Sequence, residues 1–392
     1  MSSFDIKVSL IFFTNFINKL KIIIYFVSED WYFCSHRLPI ARKALAEGFK
    51  VVVVTRVSNH RDIIKSEGFE LAPIGINRGG MNLFSELRTI STLYSYYKKY
   101  NPDIVHHVAI KPVIYGTLVA RFIGSIKIVN AMAGLGFVFI SNKKRVKLLR
   151  FFVHQLFRFL FNNKNSQLIL QNKDDLGYFL KNKLVNNENV TIVRGSGVDV
   201  KKFIPAEEST GVPIVMLASR MLWDKGVGEF IEAAKILKQE GVEARFVLVG
   251  DSDPENPASI PNAQLSEWHE LGIVEWWGER GNMHEMLTQA HIVCLPSYRE
   301  GLPKVLLEAA SCGKPIIATD VPGCREIVHD GENGILVPLK DSSSLASAMK
   351  ELINNPEKRK IIGINGRRLV ENEFSEEIVV SQTLKVYQEL LA

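Results

Sequence analysis

The chain has 392 residues, 46% hydrophobic and 23% charged, a length too great for one hydrophobic core but suited to two α/β domains. Its four cysteines show neither metal-ligand spacing nor a disulfide framework, as expected in a reducing cytoplasm. The net charge of +6 combines +15 over residues 1–200 with −9 over residues 201–392. This acidic second half, without a recognised nucleic-acid-binding motif, argues against nucleic acid as a partner.

The N-terminal region contains two apolar runs, at 8–13 and 22–27, and the Asn and Lys residues around them leave no segment that spans a bilayer. The second run reads as the first strand of the fold, so its removal as a signal peptide would destroy the domain. Residues 1–20 form a lead before that strand. An amphipathic anchor, a disordered lead and a wrongly assigned start codon are three open alternatives for it.

Short strands alternate with helices in both halves, which predicts parallel sheets and an α/β fold. The clearest strand–helix pairs are 21–27 with 38–47, 51–56 with 62–67, and 245–250 with 262–271.

Three groups of residues in the first half are candidates for a site. Arg37 lies just before the first helix, where the preceding turn lacks the glycines of many nucleotide-binding units. His106 follows a probable strand beginning at Asp103, and Lys111 comes soon after it. A small-residue loop at 130–136 contains Gly134 and Gly136. A histidine at a strand end is more often packed than catalytic, so both interpretations of His106 stay open.

A basic and aromatic segment covers residues 142–161. On a helix it would carry a basic edge beside a wide apolar face, the pattern of a segment lying on an anionic membrane surface. The alternative is a core helix with a solvated basic side. The residues predicted to contact the membrane are Lys143, Lys144, Arg145, Lys147, Arg150, Phe151 and Phe157.

The second half supplies two cations between a strand and a helix. A buried strand at 214–218 is followed by Arg220 and Lys225, and a helix starts at Val227. Both side chains can reach a diphosphate there, Arg through bidentate contact and Lys as a point charge. Ordinary loop cations are the alternative for this pair alone.

Two carboxylates, Glu300 and Glu308, are separated by seven residues, and a strand at 291–295 precedes them. The first lies in a Gly/Pro loop and the second two turns into an apolar helix. Amides near the start of such a helix, at Gly301 and Leu302, favour a phosphate, while the carboxylates can bind hydroxyls of a sugar or ribose. The pattern predicts a nucleotide-sugar site.

Arg220-x4-Lys225, followed about 80 residues on by Glu300-x7-Glu308, resembles the family 4 retaining glycosyltransferases. The likeness covers most of the chain. The stretches 222–227, 249–257 and 322–324 look most like bacterial members that extend polyprenyl-diphosphate-linked glycans in surface polysaccharide, such as lipopolysaccharide O-antigen, or in glycoproteins.

The resemblance implies the GT-B fold, with two Rossmann-like, doubly wound α/β domains facing a cleft. Residues 21–195 would then bind the acceptor and residues 200–370 the nucleotide sugar. A C-terminal helix within 375–392 would return to the first domain.

The resemblance also implies roles for the candidates. Arg220 and Lys225 would stabilise the departing diphosphate, Glu300 would hold the transferred sugar and Glu308 the ribose. The base would lie near Trp277. The first-half residues would orient the reacting sugar or acceptor hydroxyl (His106) and bind the acceptor (Arg37, Lys111, Gly134 and Gly136).

The expected partners are a nucleotide sugar, with UDP favoured over GDP, a polyprenyl-diphosphate-linked acceptor and the inner face of the cell membrane. No cofactor and no metal are expected. Asp251-Ser252-Asp253 resembles a metal-binding DxD motif, but its strand–loop context suits a turn of the second domain, and Arg220 with Lys225 already neutralises a diphosphate.

Two other functions remain as alternatives. A nucleotide-sugar epimerase shares the GT-B fold and needs no acceptor, and a non-catalytic partner of a membrane assembly complex would bind nucleotide without turnover. The carboxylate spacing favours a transferase. The donor sugar, linkage, acceptor glycan and oligomeric state stay open.

Overall fold

The computed structural model describes residues 20–76, 82–132, 134 and 144–392, with only the backbone described at 144–149. Within these residues the chain forms two parallel sheets with helices packed against them. The predicted alternation of strands and helices is therefore confirmed.

The part of the chain that the structure describes gives the first sheet seven strands: β1 (Ile22–Glu29), β2 (Lys50–Arg56), β3 (Glu70–Pro73), β4 (Ile104–Val108), β5 (Lys127–Ala131), β6 (Ser166–Leu170) and β7 (Val190–Ile192). Their order is β3-β2-β1-β4-β5-β6-β7. Ile23 of β1 pairs in parallel with Val51 on one side and Ile104 on the other. Because both faces of the central strands are covered, β1 and β4 are almost entirely buried. The strand β1 starts with a continuous apolar run, whereas β4 buries two histidines, His106 and His107.

Among the described residues, seven helices accompany this sheet: α1 (Asp30–His36), α2 (Leu38–Ala46), α3 (Arg61–Ser66), α4 (Leu83–Tyr100), α5 (Ile110–Ile123), α6 (Lys144–Phe161) and α7 (Lys173–Lys181). Most connect one parallel strand to the next, as a doubly wound sheet requires. The helix α7 begins at an Asn172 cap, whose side chain accepts a hydrogen bond from the Asp175 amide.

The second sheet has six strands: β8 (Ile214–Ala218), β9 (Arg245–Val249), β10 (Glu275–Trp276), β11 (Ile292–Leu295), β12 (Ile316–Thr319) and β13 (Gly334–Val337). Their order is β10-β9-β8-β11-β12-β13. The chain therefore builds outward from β8 on one side and then returns to place β11 on its other side. Ligands of open α/β sheets bind at the carboxyl ends of the strands beside such a switch point.

Seven more helices follow: α8 (Val227–Gln239), α9 (Asn262–Glu270), α10 (Met283–Gln289), α11 (Lys304–Ser311), α12 (Ser342–Ile353), α13 (Pro356–Glu373) and α14 (Glu376–Leu391). They bury apolar clusters around the sheet, one containing Phe230 and Leu345 and the other containing Leu306 and Phe374. The second sheet is therefore an interior layer, and its strand-end loops are what remain for chemistry.

The chain divides into two compact units. The first comprises Met1–Ile76, Asn82–Val129 and Tyr387–Ala392, and the second comprises Asn77–Met81 and Asn130–Val386. The last turn of α14 thus belongs to the first unit. The predicted domain boundaries at 195 and 200 follow the two sheets rather than this division, and they stay a prediction.

Candidate active site

Two loops at the centre of the second sheet form the core of the candidate site. One follows β8 and leads through a short 3₁₀ turn (Trp223–Lys225) into α8, and the other follows β11 and leads into α11. The two strands are neighbours, with Ile292 paired to Val215, so their loops emerge side by side. This is the switch point of the sheet, where a ligand is expected.

Gly226 brings the two loops into backbone contact. Its φ of +74° is readily adopted by glycine, and a Cβ on it would lie 2.0 Å from the carbonyl oxygen of Pro296. The Tyr298 amide also donates to the Asp224 carbonyl at 2.9 Å. The approach requires glycine at this position, and it places Lys225 directly over the second loop.

Lys225 and Glu300 form an ion pair, with Nζ of the lysine 2.5 Å from Oε1 of the carboxylate. Both side chains are largely withdrawn from solvent. Two residues that the sequence analysis placed in one reaction, 75 positions apart, thus share one contact. The pair holds a cation and a carboxylate that can accept hydrogen bonds at the same point.

Arg220 lies nearby in the chain but has its own partner. Its guanidinium donates to Oδ2 of Asp253 at 2.6 Å, and Asp253 belongs to the loop after β9. This contact uses one of the five N–H groups of the arginine, so the fork keeps further donors for a phosphate. Within the described residues no three His, Cys, Asp or Glu side chains come together as metal ligands.

Glu308 lies one turn after Lys304 in α11 and is largely buried. Burial raises the pKa of its carboxyl above the ordinary value, and the Lys304 ammonium 3.7 Å away opposes that shift. An anionic side chain held in this environment is a strong acceptor for hydroxyl groups.

The helix α11 begins at Lys304, so Gly301 and Leu302 precede it rather than forming its first turn. Backbone contacts with neighbouring segments hold the loop that contains Gly301 and Leu302. A Cβ on Gly323, whose φ is +84°, would lie 2.5 Å from the Gly301 carbonyl oxygen. Gly134 also contacts this segment, since its Cβ would lie 3.6 Å from the Gly301 nitrogen. The structure therefore brings predicted donor and acceptor residues together at this point.

Sequence reasoning missed the residues that support this loop. Asn172 donates a buried hydrogen bond of 2.9 Å to the Gly301 carbonyl, and Arg299 pairs with the buried Asp175 at 2.5 Å. Burial raises the pKa of Asp175, and the charge of Arg299 lowers it in opposition. The local signal was the helix-capping pattern Asn172-x-x-Asp175, but nothing in the sequence pointed to the distant partners.

Trp277 follows β10, and its indole donates to the Glu275 carboxylate at 3.1 Å. Its amide donates to the Leu248 carbonyl at 2.9 Å, and the ring packs partly against the core of the sheet. The tryptophan thus has a structural role at the sheet end beside its predicted role near the base.

His106 lies inside β4, because that strand continues to Val108 rather than ending at Val105. Nδ1 of its buried ring is 2.5 Å from the hydroxyl of Tyr387 in α14. Burial lowers the pKa of His106 well below its ordinary value, and the charge of Arg37 lowers it further, so the ring is neutral. Arg37 is itself buried.

Lys111 lies in the first turn of α5 and pairs with Glu86 of α4 at 2.7 Å. Tyr115 donates to the other oxygen of the same carboxylate at 2.8 Å. The lysine is therefore part of a hydrogen-bonded group of the first unit.

Sequence-family models match both halves of the chain. The model for glycosyl transferases group 1 matches residues 199–369, and a glycosyl transferase 4-like model matches residues 22–172. The chain belongs to the family 4 glycosyltransferases.

Two relatives act on undecaprenyl-linked sugars by their names. One is the N,N'-diacetylbacillosaminyl-diphospho-undecaprenol alpha-1,3-N-acetylgalactosaminyltransferase of Campylobacter jejuni, 28% identical over 91% of this chain and 95% of the relative. The other is the UDP-Gal:alpha-D-GlcNAc-diphosphoundecaprenol alpha-1,3-galactosyltransferase of Escherichia coli, 26% identical over 75% of this chain and 77% of the relative. The predicted likeness to enzymes of lipid-linked glycan assembly is confirmed.

Solved structures show the same fold. The sucrose-phosphate synthase of Thermosynechococcus elongatus superposes with a TM-score of 0.78 at 21% identity, over 94% of this chain and 99% of the other. The HepE protein of Anabaena in complex with UDP superposes with a TM-score of 0.73 at 17% identity, over 94% of this chain and 100% of the other. The predicted GT-B fold, with two Rossmann-like domains, is therefore confirmed.

The basic and aromatic segment of this glycosyltransferase forms α6, and one predicted membrane contact there is wrong. Phe157 is fully buried and packs against Phe161 and Phe179, with ring centroids 5.0 and 5.9 Å away. The outer face instead carries Phe151, Phe152 and Phe159, each more than half exposed. The 3.6-residue period places Phe157 on the opposite side of the helix.

The remaining predictions for this region are only partly described. Arg150 is half-buried in α6. Lys144, Arg145 and Lys147 lie in the same helix, while Gly136 and Lys143 fall outside the described residues. In the described part of the chain, no helix combines the length and the apolar character needed to cross a bilayer.

Proposed function

We propose that this glycosyltransferase moves an N-acetylhexosamine from its UDP-linked form to a polyprenyl-diphosphate-linked saccharide, with retention of configuration, at the inner face of the cell membrane. The observation that carries the proposal is the Lys225–Glu300 contact at the switch point of the second sheet. The names of the two relatives support the acceptor class, and the UDP-Gal donor in one of those names supports the nucleotide.

The donor would bind across the two strand-end loops. The diphosphate takes the charges of Arg220 and Lys225, and the amides at Gly301 and Leu302 add to them. Glu308 accepts the ribose hydroxyls, Glu300 accepts hydroxyls of the transferred sugar, and the base lies by Trp277. Lys225 then exchanges part of its contact with Glu300 for a phosphate, which leaves the carboxylate available to the sugar.

The chemistry would be a front-face displacement. The bond from the anomeric carbon to the phosphate oxygen breaks as the acceptor oxygen attacks from the same side, and the acceptor proton passes to the departing phosphate. Arg220 and Lys225 stabilise the negative charge that grows on the diphosphate, so the mechanism requires no metal ion. No carboxylate is placed as a nucleophile in this proposal.

The acceptor would be bound by residues of the first sheet and the loop after β5. Arg37 and Lys111 contribute charge, Gly134 and Gly136 allow close approach, and His106 orients a hydroxyl. Gly134 contacts the Gly301 segment within the second unit, which supports a role for this glycine beside the donor sugar.

The helix α6 would rest on the membrane. Its exposed face combines Phe151, Phe152 and Phe159, and Arg150 of the same helix would add a positive charge toward anionic head groups.

The deciding experiment measures nucleotide release by the purified protein. UDP- and GDP-sugars are supplied with and without a detergent extract of bacterial polyprenyl-diphosphate sugars. We expect release from a UDP-N-acetylhexosamine only when lipid is present, an unchanged rate with EDTA, and a product whose anomeric configuration by NMR matches the donor. Epimerised donor without lipid would instead establish an epimerase, and nucleotide binding without any turnover would establish a non-catalytic partner.

The membrane contact is tested by flotation with anionic vesicles. Phe151→Asp combined with Phe152→Asp should lower vesicle binding by about tenfold, since it places charges on the apolar face. The control is Phe122→Asp, which changes an exposed phenylalanine at the end of α5. Equal binding by both variants would contradict a membrane role for α6.

A further inference from the structure

Two arginines of the described structure are almost fully buried, and they are bonded very differently. Arg359 is 4% exposed, and its guanidinium grips the Glu208 carboxylate. It also donates to the carbonyls of Leu352 and Ile353, at 2.7 and 2.9 Å. This is how a buried structural arginine is normally satisfied, with a counter-charge and hydrogen bonds together.

Arg37 is 3% exposed but lacks such partners among the described residues. Its side-chain hydrogen bond there is a long contact of 3.4 Å from a terminal nitrogen to the His36 carbonyl, and its Nε is buried without a partner. No carboxylate in the described part of the chain pairs with it. A buried guanidinium in this state is costly, because its desolvation is not repaid by an opposite charge.

The groups around Arg37 cannot neutralise it. Its charge acts on the hydroxyls of Tyr25, Tyr32 and Tyr387 and on the imidazole of His106. Burial raises the pKa of each of these phenols, so all three stay protonated. None of these four groups carries a negative charge, and no described carboxylate forms an ion pair with the guanidinium, so a counter-anion would come from outside the described residues.

His106 adds a second unpartnered atom to the same cluster. The Tyr387 hydroxyl donates its one proton to Tyr25 at 3.3 Å, so it accepts from Nδ1–H of His106. The proton of the neutral ring is then on Nδ1, and Nε2 carries a lone pair. That Nε2 is buried and has no hydrogen-bond partner within the described residues. The cluster thus presents one positive charge and one hydrogen-bond acceptor.

We propose that Arg37 and His106 form a binding site for a glycosyl phosphate, in which Arg37 takes the phosphate and His106 Nε2 accepts a proton from the neighbouring hydroxyl or acetamido group of the sugar. A phosphate alone would neutralise only the guanidinium of Arg37, and a neutral sugar would donate only to Nε2 of His106. The identity of the ligand rests on the proposed function: it is the first sugar of the lipid-linked acceptor together with its anomeric phosphate. Tyr387 is a positioning residue, because its hydroxyl sets the tautomer of His106.

The first measurement is thermal unfolding of the ligand-free full chain as wild type, Arg37→Met and Arg359→Met. We expect Arg37→Met to unfold at or above the wild-type temperature, since it replaces an unpaired buried charge by an apolar chain. Arg359→Met should unfold several degrees lower, because it strands buried carbonyls. If Arg37→Met and Arg37→Gln both unfold well below wild type or fail to fold, Arg37 is a structural residue and the proposal is overturned.

The second measurement adds ligands to the same assay. N-acetyl-α-D-glucosamine 1-phosphate should raise the unfolding temperature of wild type but not of Arg37→Met, and inorganic phosphate or N-acetylglucosamine should raise it less. Equal protection of both proteins by the sugar phosphate would place the ligand elsewhere. A separate arm with UDP identifies the source of the phosphate. Protection by UDP that depends on Arg37 would assign the residue to the donor and overturn the acceptor assignment.

A transfer assay separates this inference from the proposed function. Arg37→Met should raise the KM for the lipid acceptor by about tenfold with the KM for the donor unchanged. Lipid-dependent transfer with an unchanged acceptor KM would overturn the inference and leave the function standing. Protection by the sugar phosphate through Arg37, in a protein that transfers nothing to lipid, would support the site and reject the transferase.

Discussion

The strand-end loops of the second sheet and the interior of the first unit treat their cations in opposite ways. In the second sheet each predicted or supporting cation already has a carboxylate: Lys225 with Glu300, Arg220 with Asp253 and Arg299 with Asp175. In the first unit Arg37 has a counter-charge from none of the described residues. The loops therefore neutralise their cations with carboxylates of the chain, whereas the first unit buries an arginine that no described carboxylate neutralises.

The difference determines how each region would respond to an anion. A diphosphate arriving at the loops competes with carboxylates that are already in place, so binding is an exchange of partners and its net gain is modest. An anion reaching Arg37 removes a desolvation penalty that the fold otherwise bears. We therefore expect changes in the loops to alter turnover strongly, and changes at Arg37 to alter acceptor affinity and stability.

The largest effect is expected from Lys225→Ala. In the proposed mechanism Lys225 stabilises the departing diphosphate, so the change removes that charge, and it leaves Glu300 without its cation. We expect kcat/KM to fall at least a hundredfold, corresponding to about 3–4 kcal/mol in the barrier. The measurement is nucleotide release at several donor concentrations.

The matched control is Lys235→Ala in α8, where the lysine pairs on the surface with Glu232 at 2.8 Å. An exposed pair of this kind contributes little, so activity should stay within about twofold of wild type. A Lys225→Ala enzyme as active as the control would remove this lysine from the mechanism.

The next largest effect is expected from Asp175→Asn, which tests whether the Arg299–Asp175 ion pair supports the loop that carries Glu300. The amide keeps the shape of the side chain but strands the Arg299 guanidinium in a partly buried position. We expect a loss of about 1–3 kcal/mol in the free energy of unfolding and a fall of about tenfold in kcat, since Glu300 loses its fixed loop. Chemical denaturation and initial rates check the two parts. A stability loss with full activity would show that the loop does not need this brace.

The sequence predicts the local parts of the fold and of the candidate site, but not the contacts between residues that are far apart in the chain. The strand–loop–helix units around Lys225 and Glu300 were predictable because apolar runs, Gly226 and the Pro303 turn are local signals. Their pairing across 75 residues was not visible in the sequence; it follows from β11 returning beside β8. At the level of the sequence, only the family resemblance links these two residues.

Two predictions from the sequence are wrong, one about where a strand ends and one about which face of a helix is buried. The sequence predicts His106 at a strand end, but β4 continues to Val108, since one ring nitrogen of each of His106 and His107 bonds a tyrosine hydroxyl inside the sheet. The sequence predicts a membrane contact for Phe157 because the segment is aromatic on more than one face of the helix. Only the packing of Phe179 against it shows which face is the core.

A smaller effect, with a definite pH dependence, is expected from Glu308→Gln. Because burial raises the folded pKa of Glu308 above its ordinary value of 4.5, the ionised carboxylate costs stability at neutral pH. The amide should therefore raise the unfolding temperature at pH 7. The advantage should shrink as the pH falls through the raised pKa and vanish below 4.5, where the carboxyl is protonated in both states.

The same variant should weaken donor binding, because an amide is a poorer acceptor for ribose hydroxyls than a carboxylate. We expect the KM for the nucleotide sugar to rise about tenfold. A pH-independent gain in stability would mean that packing, not charge, decides the difference, and an unchanged KM would remove Glu308 from the donor site.

The smallest effect is expected from Asp253→Asn, which neutralises the carboxylate paired with Arg220. If Arg220 exchanges Asp253 for a phosphate, neutralising the carboxylate removes the competitor and keeps the shape of the loop. The KM for the donor should then fall by about twofold to threefold, with kcat unchanged. A rise in KM would mean that Asp253 holds Arg220 in its productive orientation. In that case the ion pairs at the strand ends would hold the cations in place for the donor and would not have to open when it binds. The loop cations and Arg37 would then differ mainly in how deeply they are buried.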